Sequence, residues 1–87
     1  MERSNYNKLC FVYIAECRDK TLYTGIALDA NERIKVHNTT NKSRYTRFRK
    51  PLKLIYTESC SNYTLARARE HEIKKFSRKK KLALVNN

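Results

Sequence analysis

The sequence predicts an α+β fold: a small three-stranded antiparallel or mixed sheet flanked by helices, in the order ββαβαα. Three observations carry that expectation. Two β-prone apolar runs surround a polar turn between residues 9 and 27. A helix-capping pattern opens at Asp29. Alternation over residues 52–58 is followed by helical spacing toward the C-terminus.

Leu9, Phe11, Val12 and Ile14 mark a first strand over 9–16, and residues 21–27 a second, together a hairpin. Asp29 is the expected N-cap of the first helix, with Glu32 three residues on as in a capping box. That helix runs from Ala30 to His37 or Asn38. "NTTNKSRYTRFRK" is polar, basic and without period, so it reads as a loop or one helical turn closed by Pro51. Leu52 to Glu58 alternates as a third strand. Ser61 is a candidate cap for a helix over 62–76, with Leu65, Ile73 and Phe76 as its apolar stripe, and Ser77 for a short helix through "RKKKLALV".

The 87 residues make one domain, 1–87 with its core at about 9–85, too small to enclose a large cofactor. A hydrophobic share of 40% argues for a folded chain. The net charge of +12 destabilises a compact state by self-repulsion, so a polyanionic partner is expected. Nucleic acid leads, since Lys and Arg displace phosphate counterions. A membrane surface fits worse, because no broad apolar face backs the basic stretches. Cys10, Cys17 and Cys60 are odd in number and lack C-x-x-C spacing, so neither a disulfide framework nor a zinc site follows. The N-terminal residues lack a signal-peptide core and no stretch is long enough to span a bilayer, which sets an intracellular expectation.

Tyr13 and Tyr23 lie in the two hairpin strands. A two-residue loop at Asp19-Lys20 would put them on opposite faces; a three-residue loop, Arg18-Asp19-Lys20, pairs Tyr23 with Ala15 and Tyr13 with Gly25 and puts them on one. Arg33 and His37, four apart, share a helix face, and Glu70 flanks the apolar stripe of its helix. Each has a plainer explanation: packing for the tyrosines, solvation for the Arg/His face, pairing with Lys74 for Glu70.

"VYI", then "YTG" after a short polar turn, then R-x-x-x-H on the next helix, resembles the GIY-YIG nuclease superfamily. "KSRYTRFRKPLKLIYTE" and "ARAREHEIKKFSRKKKLALV" are similar to its small single-domain branch. The resemblance runs from Leu9 to Val85. It departs in the first motif, which lacks its glycine and has Val12 before Tyr13, and in Thr24, where the second has isoleucine. It implies Tyr13, Tyr23, Arg33, His37 and Glu70 as catalytic residues, with Glu70 holding one Mg²⁺ or Mn²⁺. The reaction implied is endonucleolytic phosphodiester hydrolysis with tyrosine-assisted attack by water.

The residue types suit that chemistry. A tyrosine relays or accepts a proton from water if a nearby cation lowers its pKa of about 10. Arg33 offers a donor fork to non-bridging oxygens. Among the carboxylates Glu2 is terminal, Asp19 sits in a turn, Asp29 and Glu32 cap a helix and Glu72 is solvated, so no two-metal cluster assembles.

Two stretches are candidates for phosphate contact. One holds Lys42, Arg44, Tyr45, Arg47, Arg49 and Lys50, with Tyr45 and Phe48 set for base stacking, or Phe48 for the core. The other holds Lys74 and Lys75 with residues 78–81, where a solvated helix face is an equal reading. DNA stands ahead of RNA as partner, and the sequence leaves open a homodimer or a protein partner. The rivals to the nuclease are a non-catalytic nucleic-acid-binding module on the same scaffold and a small basic ribonucleoprotein component.

Overall fold

The structure, a computed structural model, describes residues 8–86; Glu2 and Asn87 lie outside them. Strand β1 spans Cys10–Glu16, β2 Leu22–Ala27 and β3 Lys53–Cys60; helix α1 spans Ala30–Thr39, α2 Tyr63–Lys74 and α3 Arg78–Val85. The sheet order is β2-β1-β3 with both pairings antiparallel, so the sheet is antiparallel rather than mixed.

The hairpin takes the three-residue loop. Tyr13 pairs with Gly25 and Ala15 with Tyr23. Lys20, at φ 74°, supplies the left-handed residue that such a loop needs, although it is not glycine. Asp19 holds the turn by accepting from Thr21 N (3.2 Å) and Thr21 Oγ1 (2.6 Å). Both tyrosines therefore project from one face.

Alternation along the central strand gives each face its own core. Tyr13 and Ala15 pack with Ala30, Ile34 and Leu52, so α1 covers that side. Cys10, Val12 and Ile14 pack with Ala66 and Ile73, so α2 covers the other, and Phe76, Leu84 and Val85 extend it. Buried Ala66 lets α2 come close to the sheet, and Leu65 faces outward at 52% exposure. The stripe predicted through Leu65 is thus one residue out: Ala66 and Ile73, seven apart, fall on one face at 3.6 residues per turn.

The caps follow hydrogen bonding. Asp29 accepts from Glu32 N at 3.1 Å, and Ser77 accepts from Lys80 N at 3.1 Å. For α2 the cap is Asn62, which accepts from Leu65 N at 2.9 Å, not the expected Ser61. Residues 44–49 turn once, with Arg47 N donating to Ser43 O at 3.0 Å. The longer loop that contains this turn is closed at its ends by Asn38, which donates to Leu52 O (3.0 Å) and accepts from Leu52 N (2.6 Å). Glu58 on β3 accepts from Arg69 of α2 through both oxygens, at 2.7 and 3.2 Å, clamping helix to sheet.

Candidate active site

Gly25 is the chain's one glycine, and it sits on edge strand β2 opposite Tyr13. A Cβ there would lie 2.6 Å from the Tyr13 hydroxyl. Its absence makes room for the Tyr13 ring, beside a cleft of ≈ 470 Å³ lined by residues from both sides of the sheet. Tyr13, Tyr23, Arg33 and Glu70 all line that cleft. Four of the five predicted catalytic residues, from four elements, thereby share one space. The fifth, His37, lies behind them, buried, with Nε2 3.2 Å from the Tyr13 hydroxyl.

The tyrosines differ in setting. Tyr13 is buried, and burial first, then the neighbouring Tyr23, pushes its hydroxyl pKa well above the ordinary value, Arg33 offsetting only part. The expected cation-lowered tyrosine is therefore not found at Tyr13. Tyr23 is half-buried, its ring held by Tyr13 (centroids 6.2 Å), His37 (5.2 Å) and Tyr45 (5.5 Å), and its hydroxyl has no hydrogen-bond partner among the described residues. Burial and then Arg33 hold the His37 pKa below the usual histidine value, so the ring is neutral near pH 7.

Arg33 and His37 lie at different depths of one helix side, the first exposed and the second buried. No carboxylate pairs with Arg33 among the described residues, which leaves its guanidinium for an anion entering the cleft. Glu70 Oε2 is 3.1 Å from Lys74 Nζ, so the plainer pairing of Glu70 is present as well as its place in the cleft. Lys74 is more than half exposed and can swing away. Among the described residues no three His, Cys, Asp or Glu side chains cluster to hold a metal. A lone carboxylate lining a cleft of this size suits Mg²⁺ or Mn²⁺, hard cations that keep several waters when bound to protein.

Sequence reading missed three groups. Tyr63 and Arg67 line the cleft beside Glu70, and their spacing at i, i+4 and i+7 on α2 was the available signal. Thr46, buried in the basic loop, has its Oγ1 2.8 Å from His37 Nδ1, and nothing in its sequence surroundings announces it.

The basic loop divides in two. Lys42, Arg44 and Arg47 are exposed without ion pairs among the described residues, Arg47 lying over the Phe48 ring at 5.1 Å. Arg49 is engaged by Asp19 (3.1 Å), Tyr45 O (2.8 Å) and the Tyr45 ring (4.2 Å). Lys50 is held by Thr40 O (3.2 Å) and Asn41 Oδ1 (2.8 Å). Phe48 is 76% exposed and takes no part in the core. Lys75 is exposed at the end of α2, and Glu72 pairs with Arg69 at 3.0 Å while staying largely solvated. Among the described residues, no helix is long and apolar enough to cross a membrane.

Residues 9–83, most of the chain, match the family model described as the GIY-YIG catalytic domain. The chain belongs to the GIY-YIG family. Similar proteins include a UPF0213 protein of Staphylococcus saprophyticus, 45% identical over 76 residues that cover 87% of this chain and 93% of that one. A UPF0213 protein of Staphylococcus aureus strain Mu3 is also 45% identical, over 86% of this chain and 92% of its own. The solution NMR structure of a UPF0213 protein from Bacillus halodurans superposes with a TM-score of 0.57 at 40% identity, covering 90% of this chain and 83% of that one. A GIY-YIG domain supports a nuclease role, and this one keeps its two strand tyrosines on a common face. The departure at Thr24 does not line the cleft; its Oγ1 is buried with no hydrogen-bond partner among the described residues.

Proposed function

We propose that this GIY-YIG domain is an endonuclease that hydrolyses phosphodiester bonds of nucleic acid, DNA ahead of RNA, with one Mg²⁺ or Mn²⁺ held by Glu70. The observation that carries this reading is the cleft itself, lined by Arg33 with its unpaired guanidinium, by Tyr13 and Tyr23 and by the carboxylate-bearing Glu70. A phosphodiester entering it meets Arg33 first, whose fork binds two non-bridging oxygens. The Tyr23 hydroxyl, open to the cleft, holds the attacking water. As the water oxygen bonds to phosphorus and the P–O bond to the leaving sugar oxygen breaks, a water proton passes to the Tyr23 oxygen, and the Tyr23 proton passes by way of a phosphoryl oxygen to the departing oxygen. Tyr13 stays protonated through this step, because burial disfavours its anion. When bound at Glu70, a divalent cation neutralises charge developing on the phosphoryl and leaving oxygens. Lys42, Arg44 and Arg47 lead the strand toward the cleft by phosphate contact, with Tyr45 and Phe48 available for base stacking.

The test compares wild type with Glu70→Ala on duplex, flap, junction and single-stranded DNA and RNA, with Mg²⁺, Mn²⁺ or chelator. Metal-dependent cutting that is lost in the variant, with binding kept, is the expected result. Salt-sensitive binding without cutting on any substrate would overturn the enzyme and leave a binding module.

A further inference from the structure

Thr46 Oγ1, His37 and the Tyr13 hydroxyl form a chain of two hydrogen bonds, 2.8 Å at Nδ1 and 3.2 Å at Nε2. We infer that Thr46 is a positioning residue that fixes the His37 tautomer with hydrogen on Nε2, so that His37 donates to the Tyr13 oxygen and the Tyr13 hydroxyl hydrogen is directed into the cleft. The inference rests on the nuclease reading only for the use of that hydrogen.

Counting hydrogens decides the direction. A neutral imidazole carries one N–H and each hydroxyl one O–H, three hydrogens for two contacts. One hydrogen must point elsewhere. If Tyr13 donated to Nε2 and Nδ1–H to Thr46, the spare hydrogen would be that of Thr46. Thr46 is 1% exposed, and among the described residues its Oγ1 has no partner except His37. A buried hydroxyl hydrogen without an acceptor is strongly disfavoured. In the opposite direction Thr46 donates to Nδ1, Nε2–H donates to Tyr13, and the spare hydrogen belongs to Tyr13, which is also 1% exposed but, unlike Thr46, lines the cleft. There water or a phosphate oxygen accepts it. The doubly protonated ring, which would leave both hydroxyl hydrogens spare, is disfavoured by burial and by Arg33.

The consequence for substrate is specific. Tyr13 meets a phosphoryl oxygen as a preorganised hydrogen-bond donor, its own oxygen polarised from behind by His37. The loop that carries Arg44 and Arg47 also carries Thr46, so the element that binds the strand sets the hydrogen facing it.

Histidine tautomers are read directly by two-bond ¹⁵N–¹H correlation on protein labelled with ¹⁵N-histidine. The chain has two histidines, and exposed His71 serves as internal reference. At pH 7.5, without substrate or metal, the wild type is expected to show His37 protonated on Nε2. Protonation on Nδ1 would overturn the inference whether or not the protein cuts anything. Thr46→Val, which removes the donor to Nδ1, is expected to loosen the ring and to lower kcat by about 10- to 100-fold with KM unchanged; Thr46→Ser keeps the wild-type tautomer and rate. If Thr46→Val does not fold, the wild-type spectrum and the Thr46→Ser pair still decide. A serine variant that keeps the fold but loses the Nε2–H form would overturn the assignment to the hydroxyl.

Discussion

Gly25→Ala is a single methyl placed where the site is tightest. The added Cβ would stand 2.6 Å from the Tyr13 hydroxyl oxygen, 2.7 Å from Cζ and 3.0 Å from Cε2. Comfortable carbon contacts begin near about 3.5 Å, so the ring tip must retreat by roughly 0.8 Å. Tyr13 is 1% exposed and its hydroxyl is held by His37 at 3.2 Å, so little slack exists to absorb that movement. Overpacking of this kind costs about 1–3 kcal/mol. The smaller entropy of an unfolded chain carrying alanine returns about 0.4–1 kcal/mol. A net loss of about 1–2 kcal/mol follows, and with a urea m-value of about 1 kcal/mol/M the midpoint falls by roughly 1–2 M. Displacement of a substrate-facing group by about 1 Å lowers turnover by about 100-fold. Urea unfolding followed by circular dichroism, with cleavage assayed on the same preparation, measures both effects. In the Tyr13→Phe background the nearest contact is gone, so the added methyl should cost less there. An unchanged midpoint and unchanged turnover in Gly25→Ala would refute the close-approach argument.

The other expectations concern charge. His37 faces the Tyr13 hydroxyl, the Tyr23 ring, Thr46 and Arg33 on its own helix, and its pKa is depressed by burial and then Arg33. The unfolded chain binds that proton near pH 6.5 and the folded one only below it, so this contribution to stability is full above about 6.5 and lost as pH falls toward the depressed folded value. Midpoints measured from pH 8 to 5 should fall more steeply in wild type than in His37→Gln; parallel curves would contradict it. For DNA affinity, Arg44→Gln and Arg47→Gln should each reduce the slope of log K against log salt by about 0.9. Lys50→Gln, whose ammonium is already committed to Thr40 and Asn41, should change it less. Fluorescence anisotropy titrations over a salt series measure all three.

The order of elements could be read from the sequence because each is signalled locally: alternation for the strands, Asp29 and Ser77 for helix starts. The hairpin register could not, since the loop uses Lys20 where glycine or asparagine would have declared a left-handed residue. The helix stripe went astray at Leu65 because hydrophobicity favours leucine over alanine, while close packing of α2 on the sheet selects Ala66. The cleft-lining Tyr13, Tyr23, Arg33 and Glu70 were legible as motif residues, whereas Gly25 entered only through its motif and register, without the reason for its place. That reason is a distance between strands. Thr46 was invisible for a related cause, since its partner is nine residues away across a turn whose shape no periodicity encodes.

Tyr13 stands on β1, the middle strand, hydrogen-bonded on both edges and covered on both faces. Local opening in proteins begins where backbone bonds are exposed and neighbours are few, and the central strand of a small sheet opens last. Tyr23 on the edge strand, the basic turn and Lys74 can all yield at little expense, whereas the backbone at the centre opens only when the whole unfolds. Amide exchange at Tyr13 should therefore report global unfolding, and whatever accommodation a substrate requires must come from the rim.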